Sequence, residues 1–143
     1  MSGVPTIAAT ALVGDILPSY VVTDIRAESI QIIALLLRDS NPIHFDLDAV
    51  RDAGLGDRAV NQGGASMAYI MTMLTQWAGG RSVIKSISCR FRGTVHADDT
   101  VECSGTVTHV ETTEAGPLVT CQVWADVRGG RRAIEGTATV LAQ

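Results

Sequence analysis

The feature that most constrains this chain is the stretch over residues 65–78, Ala-Ser-Met-Ala-Tyr-Ile-Met-Thr-Met-Leu-Thr-Gln-Trp-Ala, which holds neither Asp nor Glu. Ala68, Ile70, Met71, Met73 and Leu74 make it apolar nearly all round. Gly63-Gly64 leads into it and Gly79-Gly80 closes it, as glycine closes many helices. A helix apolar on every side has no face to give to water and must be covered by other elements. It is expected to be central and buried.

The rest of the chain supplies the cover. From Ser82 onward the period of the pattern changes to two. Ile87, Cys89 and Phe91 alternate with Ser88, Arg90 and Arg92, and Val101 and Cys103 with Glu102 and Ser104. Val119, Cys121, Val123, Ala125 and Val127 alternate with mostly polar neighbours, and Ile134, Ala138 and Val140 with Glu135, Thr137 and Thr139. Such alternation marks half-buried antiparallel strands. Glu114-Ala115-Gly116-Pro117 and Gly129-Gly130 turn the chain between them. A first strand is expected near 20–22.

Before these strands a helix is expected over 26–38, capped by Thr23 or Asp24, with Glu28 in its first turn. Ile30, Ile33, Ala34 and Leu37 form its apolar face, and Ile32, Leu35 and Leu36 extend that face most of the way around. This helix needs cover from the sheet or from a partner subunit, and a lone monomer is not expected. Pro42 stops it. Residues 41–62 read as a loop with one short helix around 47–53. The sum is a single α+β domain over 1–143, one antiparallel sheet wrapped around one helix.

Composition excludes several function classes. A net charge of −4 argues against nucleic acid or an anionic membrane surface as a general partner. An anionic ligand would need a local group of arginines, offered by Arg90 and Arg92 or by Arg128, Arg131 and Arg132. Solvated surface charge is the commoner explanation of such pairs. Cys89, Cys103 and Cys121 are widely spaced, which suggests reduced core thiols in a cytoplasmic protein, with one disulfide and a spare thiol as the rival. The apolar segment around 7–13 has no basic residue before it and makes a poor secretory leader. No apolar run is long enough for a bilayer. His44, His96 and His109 are too scattered for a metal site, and none is expected.

The stretch that could carry chemistry is Asp39-Ser-Asn-Pro-Ile-His44. A carboxylate and an imidazole straddle a proline that fixes the backbone, so a rigid turn can aim both at one point. General acid–base catalysis needs that placement, because a proton moves only within hydrogen-bond reach. Taken alone, the stretch reads first as a cap and turn after a helix, with His44 on the surface.

This run, however, resembles the signature of the MaoC-like (R)-specific enoyl-CoA hydratases. The resemblance extends over most of the chain: Val13-Gly-Asp15, the helix into Asp39, the glycine-led central helix, Asp98-Asp-Thr-Val101 and the closing Gly136-Thr-Ala-Thr-Val140. It implies a hot-dog fold that pairs with a second such fold, and reversible syn addition of water to a trans-2-enoyl thioester. Carried over, Asp39 and His44 are the catalytic pair, Asn41 and Pro42 hold the loop, and Gly63 or Gly64 brings a backbone amide to the thioester carbonyl. Arg90 and Arg92 are candidates for CoA phosphates. No cofactor is implied beyond the CoA of an acyl-CoA substrate.

The chain departs from the family in one place. Asn61-Gln-Gly-Gly64 stands where His-Gly is usual, which leaves open which glycine supplies the amide. The stretch from Gln76 to Ile87 is similar to small subunits of steroid side-chain hydratases, which work as heteromers. A homodimer or such a heteromer is expected, and a non-catalytic partner subunit is the alternative. Thioesterases of the same fold commonly carry a carboxylate on the central helix, which this chain lacks.

Overall fold

Period-two alternation in the C-terminal half produces four long strands, and the short apolar Tyr-Val-Val segment adds a fifth. The computed structural model describes residues 7–80 and 83–142. A 3-10 turn at Ile7–Thr10 leads to β1 (Tyr20–Val22), then α1 (Ala27–Leu37), a 3-10 turn at Pro42–His44, α2 (Leu47–Asp52) and α3 (Gly63–Ala78). The strands β2 (Ile84–Phe91), β3 (Val101–Thr113), β4 (Gly116–Val127) and β5 (Arg132–Leu141) follow. They form one antiparallel sheet in the order β1-β3-β4-β5-β2.

The inward row of this sheet is the apolar half of the alternation. Val101, Cys103 and Val107 of β3, Val119, Cys121, Val123 and Ala125 of β4, and Ile134, Ala138 and Val140 of β5 are buried. They pack with Ile70, Met73, Leu74, Trp77 and Ala78 of α3 in one cluster. Each fully buried valine or leucine contributes about 1.5–3 kcal/mol relative to exposure. One close approach depends on glycine: a Cβ at Gly136 of β5 would collide with the Ser88 carbonyl of β2.

The structure corrects several details. The helix over 26–38 is capped by neither Thr23 nor Asp24; Arg26 stands at the N-cap without a side-chain bond, and Asp24, at φ 59°, pairs with Arg26 instead. The central helix begins at Gly63 rather than Ala65, so both glycines lie in its first turn. It is not apolar cover on all sides, because the sheet meets only one face. Ala68 and Gln76 are exposed, and with Met71, Thr72, Thr75 and Ile84 they line an open cavity of about 410 Å³. The strand start expected at Ser82 lies outside the described residues.

α1 is anchored through buried Ile30 and Ala34, with Ala27 partly buried against the core. Gln62 ties it to the start of α3, its amide donating to the Ile30 carbonyl at 2.8 Å. Ile32, Leu35, Leu36 and Leu37 remain 56–79% exposed, so the apolar face that exceeded the needs of one chain is uncovered within it. All three cysteines are free thiols, Cys103 and Cys121 buried and Cys89 half-buried. Among the described residues no helix is long and apolar enough to cross a membrane.

Candidate active site

The site starts where α1 stops. Arg38, at φ 52°, takes the left-handed conformation that ends the helix, and the Asp39 amide closes back on the Ala34 carbonyl at 2.8 Å. Asp39 therefore leaves the helix in a fixed direction. The carboxylate Oδ1 accepts from the Asn41 amide at 3.1 Å, and Asn41 Oδ1 accepts from the Ile43 amide at 3.3 Å. These two bonds, with Pro42 at the first position of the 3-10 turn, set the path into His44.

This turn brings the candidate pair together. His44 Nε2 lies 3.1 Å from Asp39 Oδ2, with the imidazole side chain 7% exposed and the carboxylate 36%. The other ring nitrogen, Nδ1, lies 2.6 Å from the Val60 carbonyl oxygen. A carbonyl only accepts, so Nδ1 carries a proton there and Nε2 is the nitrogen left for exchange. With a proton between Nε2 and Oδ2 the contact would be a hydrogen bond; the imidazole is buried and aimed, and the carboxylate is partly exposed.

Two cavities meet at the pair. His44 lines a cavity of about 300 Å³ with Asn41, Asn61, Gly63, Ser66 and Phe91. Asp39 lines a groove of about 550 Å³ with Ala34, Leu35, Arg38 and Phe45. Of the two glycines, it is Gly63 that lines the pair's cavity, and a methyl there would sit 3.2 Å from the Phe91 ring, which would have to give way slightly. A Cβ at Gly64 meets nothing within 4 Å. The first turn of α3 leaves amide donors without helical partners, and the N-cap Gln62 does not cap them with its side chain. Gly63 thus presents a donor at the positive end of a 16-residue helix, beside His44.

The structure does not bring Arg90 and Arg92 to this site. Phe91 faces the cavity, so by strand alternation its two neighbours lie on the opposite face of β2. There they line a separate hollow with Gln122 and Glu135, and Arg92 is paired with Glu135 at 2.7 Å. Arg128 pairs with Glu102 and Arg132 with Asp126. His96 serves the fold: its Nε2 meets the Leu55 carbonyl at 2.6 Å. Among the described residues there is no group of three or more His, Cys, Asp or Glu placed to hold a metal ion.

Sequence reasoning missed a buried polar network under the pair. Asn61, 5% exposed, donates from Nδ2 to Ser66 Oγ at 3.0 Å and to the Tyr69 hydroxyl at 3.1 Å. Burial pushes the Tyr69 phenol up and the bond from Asn61 partly offsets this, so it is a neutral hydroxyl. The signal was present as spacing: Ser66 and Tyr69 follow Gly63 at three-residue steps along one helix stripe.

A five-stranded antiparallel sheet wrapped on a long helix defines a hot-dog protein, here with an Asp/His contact at the helix entrance. The MaoC-like domain model of dehydratases matches residues 16–127, and the chain belongs to that family. The fold is shared with the (R)-hydratase from A. caviae involved in PHA biosynthesis, at 22% identity over 94% of this chain and 98% of that one, TM-score 0.78. The ChsH1-ChsH2 complex from Mycobacterium tuberculosis is similar at 28% identity over 93% of this chain and 99% of that one, TM-score 0.76. A HadBC (3R-hydroxyacyl-ACP dehydratase) complex from the same organism matches at 17% identity over 92% and 98%, TM-score 0.71. No curated protein matches in sequence.

Proposed function

We propose that this chain catalyses the reversible, (R)-specific syn addition of water to a trans-2-enoyl thioester, CoA-linked, with Asp39 and His44 as its acid–base pair. In the hydration direction, a water held by Asp39 Oδ2 and His44 Nε2 attacks C3. The C2=C3 electron pair moves onto the thioester oxygen as an enolate, and the water's proton passes to the pair. The same proton then returns to C2 as the carbonyl re-forms. The enolate oxygen needs a donor that is already in place; the position of Gly63 at the start of α3, lining the same cavity as His44, supports assigning its amide to that role. Asn41 keeps the turn rigid, so the pair is preorganised rather than assembled on binding.

The observation that carries this is the 3.1 Å Asp39–His44 contact with Nδ1 tethered to Val60, which leaves only Nε2 and Oδ2 for proton exchange. The test is loss of enoyl absorbance with short, long and steroid-like CoA esters. Turnover of at least one ester is expected, with formation of the 3-hydroxyacyl-CoA. Release of free CoA instead would make the chain a thioesterase, and a chain inert both alone and with a second MaoC-like chain would remove the hydratase reading.

The uncovered face of α1 favours a second arrangement, in which the chain works only with a further hot-dog chain. Ile32, Leu35, Leu36 and Leu37 lie exposed beside the groove that Asp39 lines, and a partner seated there would complete its wall. Hydration that appears only when a second MaoC-like chain is added would establish that arrangement. Activity of the purified chain as a homodimer would dismiss it.

A further inference from the structure

Resting on the hydratase reading, we propose that the Ser66 hydroxyl is a second donor to the thioester oxygen of the substrate, held for that role by Asn61. Ser66 is 4% exposed, yet it lines the same cavity as His44 and Gly63. Its Oγ accepts from Asn61 Nδ2 at 3.0 Å. The hydroxyl's own proton meets no acceptor among the described residues, although a buried hydroxyl ordinarily donates as well as accepts. Asn61 enforces this polarity. Its two amide hydrogens are spent on Ser66 and Tyr69, and its backbone amide donates to the Val95 carbonyl at 2.7 Å, which fixes the residue at the cavity floor.

Ser66 stands one helical turn after Gly63, so its hydroxyl and the Gly63 amide lie on the same side of α3. Two donors on one oxygen, one from the backbone and one from a side chain, form the usual composition of a site that stabilises an enolate. Asn61 acts through Ser66 and is a positioning residue. Ser66 forms and breaks no covalent bond; it donates a hydrogen bond that strengthens as charge builds on the oxygen.

The experiment uses the full chain with crotonyl-CoA, comparing native protein with Ser66→Ala and Asn61→Asp. Ser66→Ala removes one oxygen atom from a helix in which alanine is favoured, and its folding is checked by circular dichroism. A fall in kcat of about a hundredfold with KM changed by less than about threefold is expected, since the lost bond matters chiefly in the transition state. Asn61→Asp keeps the shape and reverses the polarity: Ser66 then gives its proton to the carboxylate, and kcat falls about as far. A second readout is the infrared carbonyl band of crotonyl-CoA bound to an Asp39→Asn background. That band should move back toward its solution frequency when Ser66→Ala is added. Native turnover with kcat of Ser66→Ala within about threefold would overturn the proposal and leave the hydratase reading standing. A loss in Ser66→Ala without any loss in Asn61→Asp would also overturn it, because Ser66 would then already donate to Asn61. A native chain inert on every enoyl ester, both alone and with a second MaoC-like chain, would sink both together.

Discussion

Replacing Asp39 by Asn separates chemistry from folding more sharply than any other change at this site. The Asn41 amide now bonds to Asp39 Oδ1 at 3.1 Å, and the side-chain oxygen of an asparagine can keep that bond and the turn that depends on it. The NH₂ group then faces His44 Nε2 in place of Oδ2, at the present 3.1 Å. Since Nδ1 is committed to the Val60 carbonyl, Nε2 presents its lone pair to that NH₂ and accepts from it. Geometry survives, but the proton-accepting position is occupied and no carboxylate remains to share the load. One positioned acid–base group contributes roughly 10²–10⁴ in rate, so kcat/KM should fall by about a thousandfold, or about 4 kcal/mol. The stability change should be small, because the contact of a partly exposed carboxylate with the buried imidazole is exchanged for another hydrogen bond; about 1 kcal/mol or less is expected. The assay is the initial rate of crotonyl-CoA absorbance loss, paired with a urea melt of the same preparation. Activity within tenfold of native would refute the acid–base argument. So would a destabilisation above about 3 kcal/mol, which would make Asp39 a structural cap whose removal merely loosens the turn.

Three further outcomes follow from the same geometry. Gly63→Ala places a methyl 3.2 Å from the Phe91 ring, which is 54% exposed and can swing away, so the melt should shift by no more than about 1 kcal/mol. Activity should nonetheless drop roughly a hundredfold, because the carbonyl pocket is displaced, and an unchanged rate would remove Gly63 from the site. The buried thiols of Cys103 and Cys121 are pushed up to about 12 by burial, from 9.0. Their reaction with Ellman's reagent at pH 8 should be slow until denaturant is added. A thiol raised in the folded state stabilises it below the unfolded value, so stability should decline as pH rises from about 9 toward 12; fast labelling in the native state at pH 8 would contradict this. Leu35→Glu with Leu36→Glu changes positions 79% and 77% exposed, so a single chain should lose no more than about 0.5 kcal/mol. Light scattering should report dissociation to a monomer, and an unchanged assembly would show that α1 is not its interface.

What the sequence could and could not say divides along physical lines. Period-two alternation is set by which residues face α3, so the strands and the buried row from Val101 to Val140 were legible directly. The short helix near 47–53 was legible too, because Asp46 caps it locally, accepting from the amides of Asp48 and Ala49. Local chemistry likewise fixed the turn from Asp39 to His44, and its motif carried the pair. Two features depended on contacts distant in sequence and were therefore out of reach. Val60, sixteen residues from His44, decides which ring nitrogen exchanges protons. The Glu135 partner of Arg92 appears only once β2 pairs with β5. The Asn61 network was hidden for a different reason. Asn61 was legible only as an absence, the place where a familiar histidine was missing, whereas in the fold its side-chain amide bonds two hydroxyls. A departure from a family pattern at a buried polar position is thus better treated as a change of hydrogen-bond polarity than as a loss. The residues one and two turns along the same helix stripe, here Ser66 and Tyr69, are where the effect of such a change is registered.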